Sequence, residues 1–272
     1  MNAPHTPDAA GNGAVLPRIL RTGVAMCFIG HGAFGILTKA GWLPYFGVVG
    51  IGEAVAWKLM PWVGAMDITI GLLAFVWPCR ALFAWATAWA VWTALLRPFS
   101  SQGWPEFFER AGNYGVPAAC LVAAGLSGAW FVRLPKVWPL DDRTRGRLAW
   151  TLRLTTATLL AGHAACALLL HKASLAHHYA VFGADDLSAV MLAVGWFELA
   201  LATAVLLRPA PALLLFVCGW KFATESLFLI SGAVAPFFEV VERGGSYIAP
   251  LALAWLSARS PVPSSSPVPQ PA

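Results

Sequence analysis

Charge is what this sequence has least of. Charged residues make up 11% of its 272 positions and hydrophobic ones 58%, where a soluble globular domain carries roughly a quarter charged residues. Mean hydropathy is +0.67. So little charge cannot cover a surface facing water, and the chain reads as an integral membrane protein whose first partner is the lipid bilayer. Cysteine is sparse too. Cys27, Cys79, Cys120, Cys166 and Cys218 are scattered, with no Cys-x-x-Cys, which excludes a disulfide framework or zinc spacing and leaves small packing thiols. No metal site is expected. A nucleotide loop, a Ser-His-Asp order and a flavin fingerprint are all missing, so any electron donor must be a redox partner protein. The excess of 18 Lys and Arg over 13 Asp and Glu reports membrane topology rather than a nucleic-acid partner. The first residues lack the short apolar core and cleavage site of a signal peptide. Residues 1–17 are Gly/Pro-rich and residues 259–272 are a Pro/Ser tail. Both are expected to be disordered.

What the chain does have is a repeat. "ERAGNYGVP" (Glu109 to Pro117) returns as "ERGGSYIAP" (Glu242 to Pro250). "LRTGVAMCFIGHG" (Leu20 to Gly32) matches "LRLTTATLLAGHA" (Leu152 to Ala164), placing His31 on His163. "VGAMDITIGLLAFVWP" (Val63 to Pro78) matches "VGWFELALATAVLLRP" (Val194 to Pro209), placing Asp67 on Glu198. Trp89 falls on Trp220. Matches in one register over a whole unit are a tandem duplication. The expected units are 18–132 and 152–258, joined by a basic cytoplasmic linker over 133–151. Each unit holds four apolar runs, at 20–38, 60–77, 79–96 and 113–132, then 152–170, 188–207, 209–230 and 246–258. A spanning helix needs about 20 residues, so the expected fold is an all-α membrane protein of eight transmembrane helices. An even number of spans per unit makes the two four-helix repeats parallel.

Eleven of the 18 Lys and Arg fall on the side of the termini and the linker; six fall opposite, and Lys221 lies inside a span. This predicts the inner (plasma) membrane of a bacterium, multi-pass, with N- and C-termini cytoplasmic. Trp42, Trp62, Trp77, Trp104 and Trp130 sit near predicted span ends, as interfacial belts do. "GWPEFFER" and "APFFEVVER" predict short amphipathic helices lying at the outer interface, where the repeated phrase turns the chain back into the bilayer.

Ionisable groups inside a membrane are costly and default to functional candidates. His31 lies about 12 Å and Asp67 about 10 Å below the outer edge by helical rise. His163 and Glu198 lie about 12 and 15 Å deep by the same rule. Each unit thus places one imidazole and one carboxylate in a common layer, suited equally to a proton relay, a quinone site or a packing hydrogen bond. His31, Asp67, His163 and Glu198 are the candidate catalytic residues. Lys221 and Glu225 are i, i+4 on one helix and are expected to neutralise each other; the first unit has Ala90 and Ala94 there. The loop "HKASLAHHYAVFGADD", with His171, His177, His178, Asp185 and Asp186, reads as a solvated polar loop rather than a metal site.

Each unit resembles the DoxX family of small four-helix membrane proteins. The resemblance is carried by a leading Arg, by "IGHGAFGILTK" in the first helix and by an acidic residue opening a Gly/Leu-rich second helix. It covers about four fifths of the chain. The duplication departs from the family, as do Ala164 after His163 and His171 in the place of Lys39. The resemblance implies quinone-linked oxidation or a membrane redox complex. The first functional reading is therefore a quinone- or redox-linked membrane subunit. The alternative is a transporter or channel for a small solute or protons. The third is a haem-b protein ligated by His31 and His163.

Overall fold

The computed structural model describes residues 13–183 and 185–259. The expected disordered segments fall mostly outside these residues. Residues 15–17, counted above with the first of them, already form the first turn of a helix, where Pro17 is tolerated. Among the described residues the secondary structure is helical throughout, with no strand.

The first half runs α1 (Val15–Ile36), short α2 (Leu43–Val48), α3 (Glu53–Val76), α4 (Arg80–Phe99), short α5 (Trp104–Glu109) and α6 (Ala111–Ala124). The second half repeats this order as α7 (Asp142–Leu168), short α8 (Ala173–Tyr179), α9 (Leu187–Leu207), α10 (Pro211–Ser226), short α11 (Pro236–Glu242) and α12 (Gly244–Ser257). Four helices are long and apolar enough to cross a membrane: α1, α3, α9, and α10 with its 3-10 extension to Leu229. A fifth arises if α7 and α8, bent by 95°, count as one broken span.

The expected run 113–132 is helical only to Ala124, because Gly125 takes a left-handed φ of 71°. Arg80 holds that end, donating from Nε to the Gly125 carbonyl at 2.8 Å and from Nη2 to that of Ala124 at 2.9 Å. α12 is also 14 residues long. Each rises only about 21 Å, short of a 30 Å hydrocarbon core. The expected linker is half helix. Asp141 caps α7 by accepting the Thr144 amide at 2.7 Å, and hydrogen bonding from Thr144 holds its carboxyl below the usual range.

α1, α6, α7 and α12 form the centre, with α3 and α4 on one flank and α9 and α10 on the other. Two close approaches set this geometry. Gly112 and Gly245 meet where the repeated phrase packs against itself: a Cβ built on either would lie 2.5 or 2.4 Å from the other's carbonyl carbon. Gly32 and Gly35 of α1 face Gly64 of α3 so closely that a Cβ on Gly64 would lie 2.5 Å from the Gly32 carbonyl oxygen. Small residues at such spacing let helix backbones touch.

The short helices cross over between halves. α5 lies on α7, and α11 lies on α1. Gly162 backs onto Glu109, and Gly30 backs onto Glu242. Tyr114 and Tyr247 each donate a hydroxyl to the carbonyl seven residues earlier, at Phe107 and Val240. The repeated phrase is thus more than a re-entry signal: it forms the contact between the halves.

Candidate functional site

The short helices, expected to be amphipathic at the outer interface, turn their charged faces inward. Glu106, Glu109, Glu239 and Glu242 are buried, while Trp104, Phe108 and Phe237 are exposed. On one helical turn Glu106 and Glu109 share a face, as do Glu239 and Glu242, and that face points inward.

The inward faces line a charged chamber of about 360 Å³. Lys39, Arg97, Arg110, Lys172, Lys221 and Arg243 meet the four glutamates and Glu225 there. The pairing is exchanged between halves. Lys39 Nζ of the first half lies 2.5 Å from Glu239 Oε1 of the second. Lys172 Nζ of the second lies 2.7 Å from Glu106 Oε1 and 3.1 Å from Glu109 Oε2 of the first. Arg110 reaches Glu242 at 3.7 Å. Both lysines are delivered by the same device. The residue before each has a positive φ, 54° at Thr38 and 44° at His171, and folds the chain back over its helix end. Lys39 therefore answers to Lys172, one residue beyond the sequence match to His171.

Beside the chamber lies an apolar pocket of about 290 Å³, walled by Trp62, Trp89, Trp92 and Phe46. Trp42, Tyr45, Arg97, Arg110 and Glu242 line both cavities and form the neck between them. Trp62 is 76% exposed, so the pocket opens at the lateral surface of the bundle.

The four sequence candidates divide. His31 lines the apolar pocket and bonds Asp67, Nδ1 to Oδ2 at 2.7 Å. Asp67 is fully buried and also accepts the Trp89 indole N–H at 2.9 Å. Trp42 stacks on the imidazole, centroids 4.5 Å apart. His163 and Glu198 are not joined. Glu198 accepts the Trp220 indole N–H at 3.0 Å, matching the first half, but its second partner is Lys221 at 3.2 Å. His163 Nε2 stands 3.3 Å from Glu225 and 4.0 Å from Glu109. The reason lies in helix spacing. Where α1 has Gly32 and Gly35, α7 has Ala164 and Ala167. A Cβ on Gly195 would meet Leu168 and Ala167 side chains rather than backbone. α9 therefore stands farther from α7 than α3 does from α1, and lysine fills the gap.

Lys221 and Glu225 do pair, at 3.2 Å, but not exclusively: Arg243 Nε holds Glu225 Oε2 at 3.1 Å. The outer loop gathers no metal set among its described residues. His177 bonds the Ser231 carbonyl at 2.9 Å, His178 packs on Phe228, and Asp186 caps α9. Sequence reading missed Arg97, Glu106, Glu239 and Lys172. The usable signal was Glu-x-x-Glu-Arg in both units.

No family model, curated protein or solved structure matches the chain.

Proposed function

We propose that the chain is an integral membrane protein, with eight membrane helices, α6 and α12 the short ones, in two parallel four-helix repeats and both termini cytoplasmic in a bacterial inner membrane, that binds a quinone-class molecule at His31. The observation carrying this reading is the His31–Asp67 pair set in the wall of an aromatic pocket that opens sideways. An amphipathic ring needs an apolar slot reached from the bilayer, with few polar groups at its inner end. The four tryptophan and phenylalanine walls supply the slot. His31 Nε2, without a partner among the described residues, supplies the polar contact. Asp67 fixes the imidazole through Nδ1, and the Trp89 N–H fixes Asp67 in turn. Quinone reduction or quinol oxidation moves protons with electrons. His31 would exchange the proton, because an imidazole nitrogen can both accept and donate one. The electrons would come from or go to a redox partner. The DoxX-like motifs support the same reading.

A second reading, passage of a small charged solute or protons, rests on the charged chamber between the halves. A vesicle flux assay separates it from the first. The haem reading loses support, because His31 and His163 line different cavities.

The test is titration of the purified full chain in nanodiscs with a short-chain quinone, read by quenching of tryptophan fluorescence. Saturable quenching is expected. Loss of one hydrogen bond to a charged or polarised group in His31→Gln should weaken binding about 10- to 150-fold. Non-saturable quenching, or quenching indifferent to His31→Gln, would overturn the reading.

A further inference from the structure

Where α5 lies on α7, two residues one turn apart on each helix face one another. Glu106 and Glu109 project from α5; His163 and Cys166 project from α7. All four are buried, Cys166 to 1% and Glu106 to 4%. A carboxylate oxygen from each glutamate and the Cys166 Sγ lie within 4.8 Å of one another. Cys166 Sγ is 3.5 Å from Glu109 Oε2, and His163 Nε2 is 4.0 Å from Glu109 Oε1. Facing helices that each supply two donors at i, i+3 are a recurrent way of building a metal site inside a bundle. The other cysteines have no such company: Cys27 and Cys120 sit in the apolar core.

Three further observations bear on a cation here. First, one already occupies the place: the Lys172 ammonium bridges Glu106 and Glu109. Its side chain is 25% exposed, on a turn outside α7, so it can withdraw to water. Second, the neighbouring Glu225 Oε1 is buried and accepts no hydrogen bond. The charged groups nearest to that oxygen are Lys221 Nζ at 3.2 Å and His163 Nε2 at 3.3 Å. Third, the matching corner of the other half lacks the thiol. Phe34 holds the place of Cys166, and Lys39 and Arg243 both meet Glu239. The ion-pair architecture thus stands without a cysteine, and Cys166 is an addition to it.

We propose that Glu106, Glu109, Cys166 and His163 bind a divalent transition metal of borderline softness, zinc or iron(II) in class, that displaces the Lys172 ammonium. Thiolate, imidazole and carboxylate together select such an ion over calcium or magnesium. The exchange conserves charge. The metal–sulfur bond forms as the Cys166 S–H bond gives its proton to water, and Lys172 carries its positive charge out of the site. The ion brings in the same total. The chamber gives the incoming ion access from the outer face. This site is independent of the quinone reading.

Cobalt(II) is the probe, added to the purified full-length chain in detergent after chelator treatment. The expected result is one cobalt per chain with a near-ultraviolet thiolate-to-cobalt charge-transfer band. Cys166→Ser should remove the band while gel filtration shows the fold retained. Lys172→Met should tighten binding roughly tenfold, because ammonium and metal compete for one place. No band in the wild type, a band that survives Cys166→Ser, or weaker binding in Lys172→Met would each overturn the proposal.

Discussion

Replacing Lys221 by Met tests which carboxylate that ammonium serves. Its side chain is 1% exposed and lies 3.2 Å from both Glu198 and Glu225, themselves 3% and 4% exposed. Methionine keeps most of the volume, so the loss is chiefly electrostatic. Removing one partner of a buried pair costs about 3–5 kcal/mol in soluble proteins. At roughly 2–4 °C per kcal/mol for a chain somewhat smaller than this one, the midpoint should fall by about 6–20 °C. The two carboxylates are not stranded equally. Glu225 keeps Arg243 at 3.1 Å, whereas Glu198 keeps only the Trp220 indole at 3.0 Å. Adding Glu198→Gln to Lys221→Met should therefore restore most of the loss, and adding Glu225→Gln should restore little. The assay is thermal unfolding in detergent followed by tryptophan fluorescence, with all four proteins at one concentration. Full rescue by Glu225→Gln without rescue by Glu198→Gln would mean that the lysine serves the i, i+4 pair expected from sequence. A single-mutant loss under about 1 kcal/mol, the level of an exposed pair, would refute the burial argument altogether.

Ala90 lines the aromatic pocket, so Ala90→Leu should fill it and abolish quinone quenching while thermal stability changes by less than about 3 kcal/mol, the usual limit for overpacking. Gly112→Ala places a methyl 2.5 Å from the Gly245 carbonyl carbon. It should cost at least about 1–3 kcal/mol by the same rule, read as a lower midpoint, and Gly245→Ala should match it. A reporter active only outside the cytoplasm, fused after Ala272, should stay silent; activity there would overturn the proposed topology and the even span count.

The apolar character was legible in the composition, with 11% charge, and the helices in apolar runs of about spanning length. The His31–Asp67 pair was also legible, since both groups are expensive to bury and come to one depth. Its partner reading, His163 with Glu198, failed for a reason depth cannot show. Side chains of Leu168 and Ala167 stand against Gly195 of α9, where Gly64 of α3 meets bare backbone, and lateral spacing is invisible to a count of residues along a helix. The His31–Asp67 pair forms because Gly32, Gly35 and Gly64 bring the backbones together. The charged chamber was hidden by convention. Phenylalanines beside glutamates read as an amphipathic helix, a pattern that says which residues share a face but not which way that face points.

The departures from symmetry point to a division of labour between the halves. Ala90 and Lys221 are matched positions, as are Ala94 and Glu225. In the first half Ala90 lines the aromatic pocket, and His31 turns to Asp67 beside it. In the second half the same volume holds Lys221 and Glu225, and His163 turns instead toward Glu225, Glu109 and the thiol corner. The Trp–carboxylate bond survives unchanged in both, at 2.9 and 3.0 Å. The scaffold around each carboxylate was therefore kept while its charged partner changed. Where the first half has an alanine beside an apolar slot, the second half has Lys221 in an ion-pair network with Glu198 and Glu225. On this view the first half keeps the space for a hydrophobic ligand, and the second half keeps the charge that closes the chamber between them.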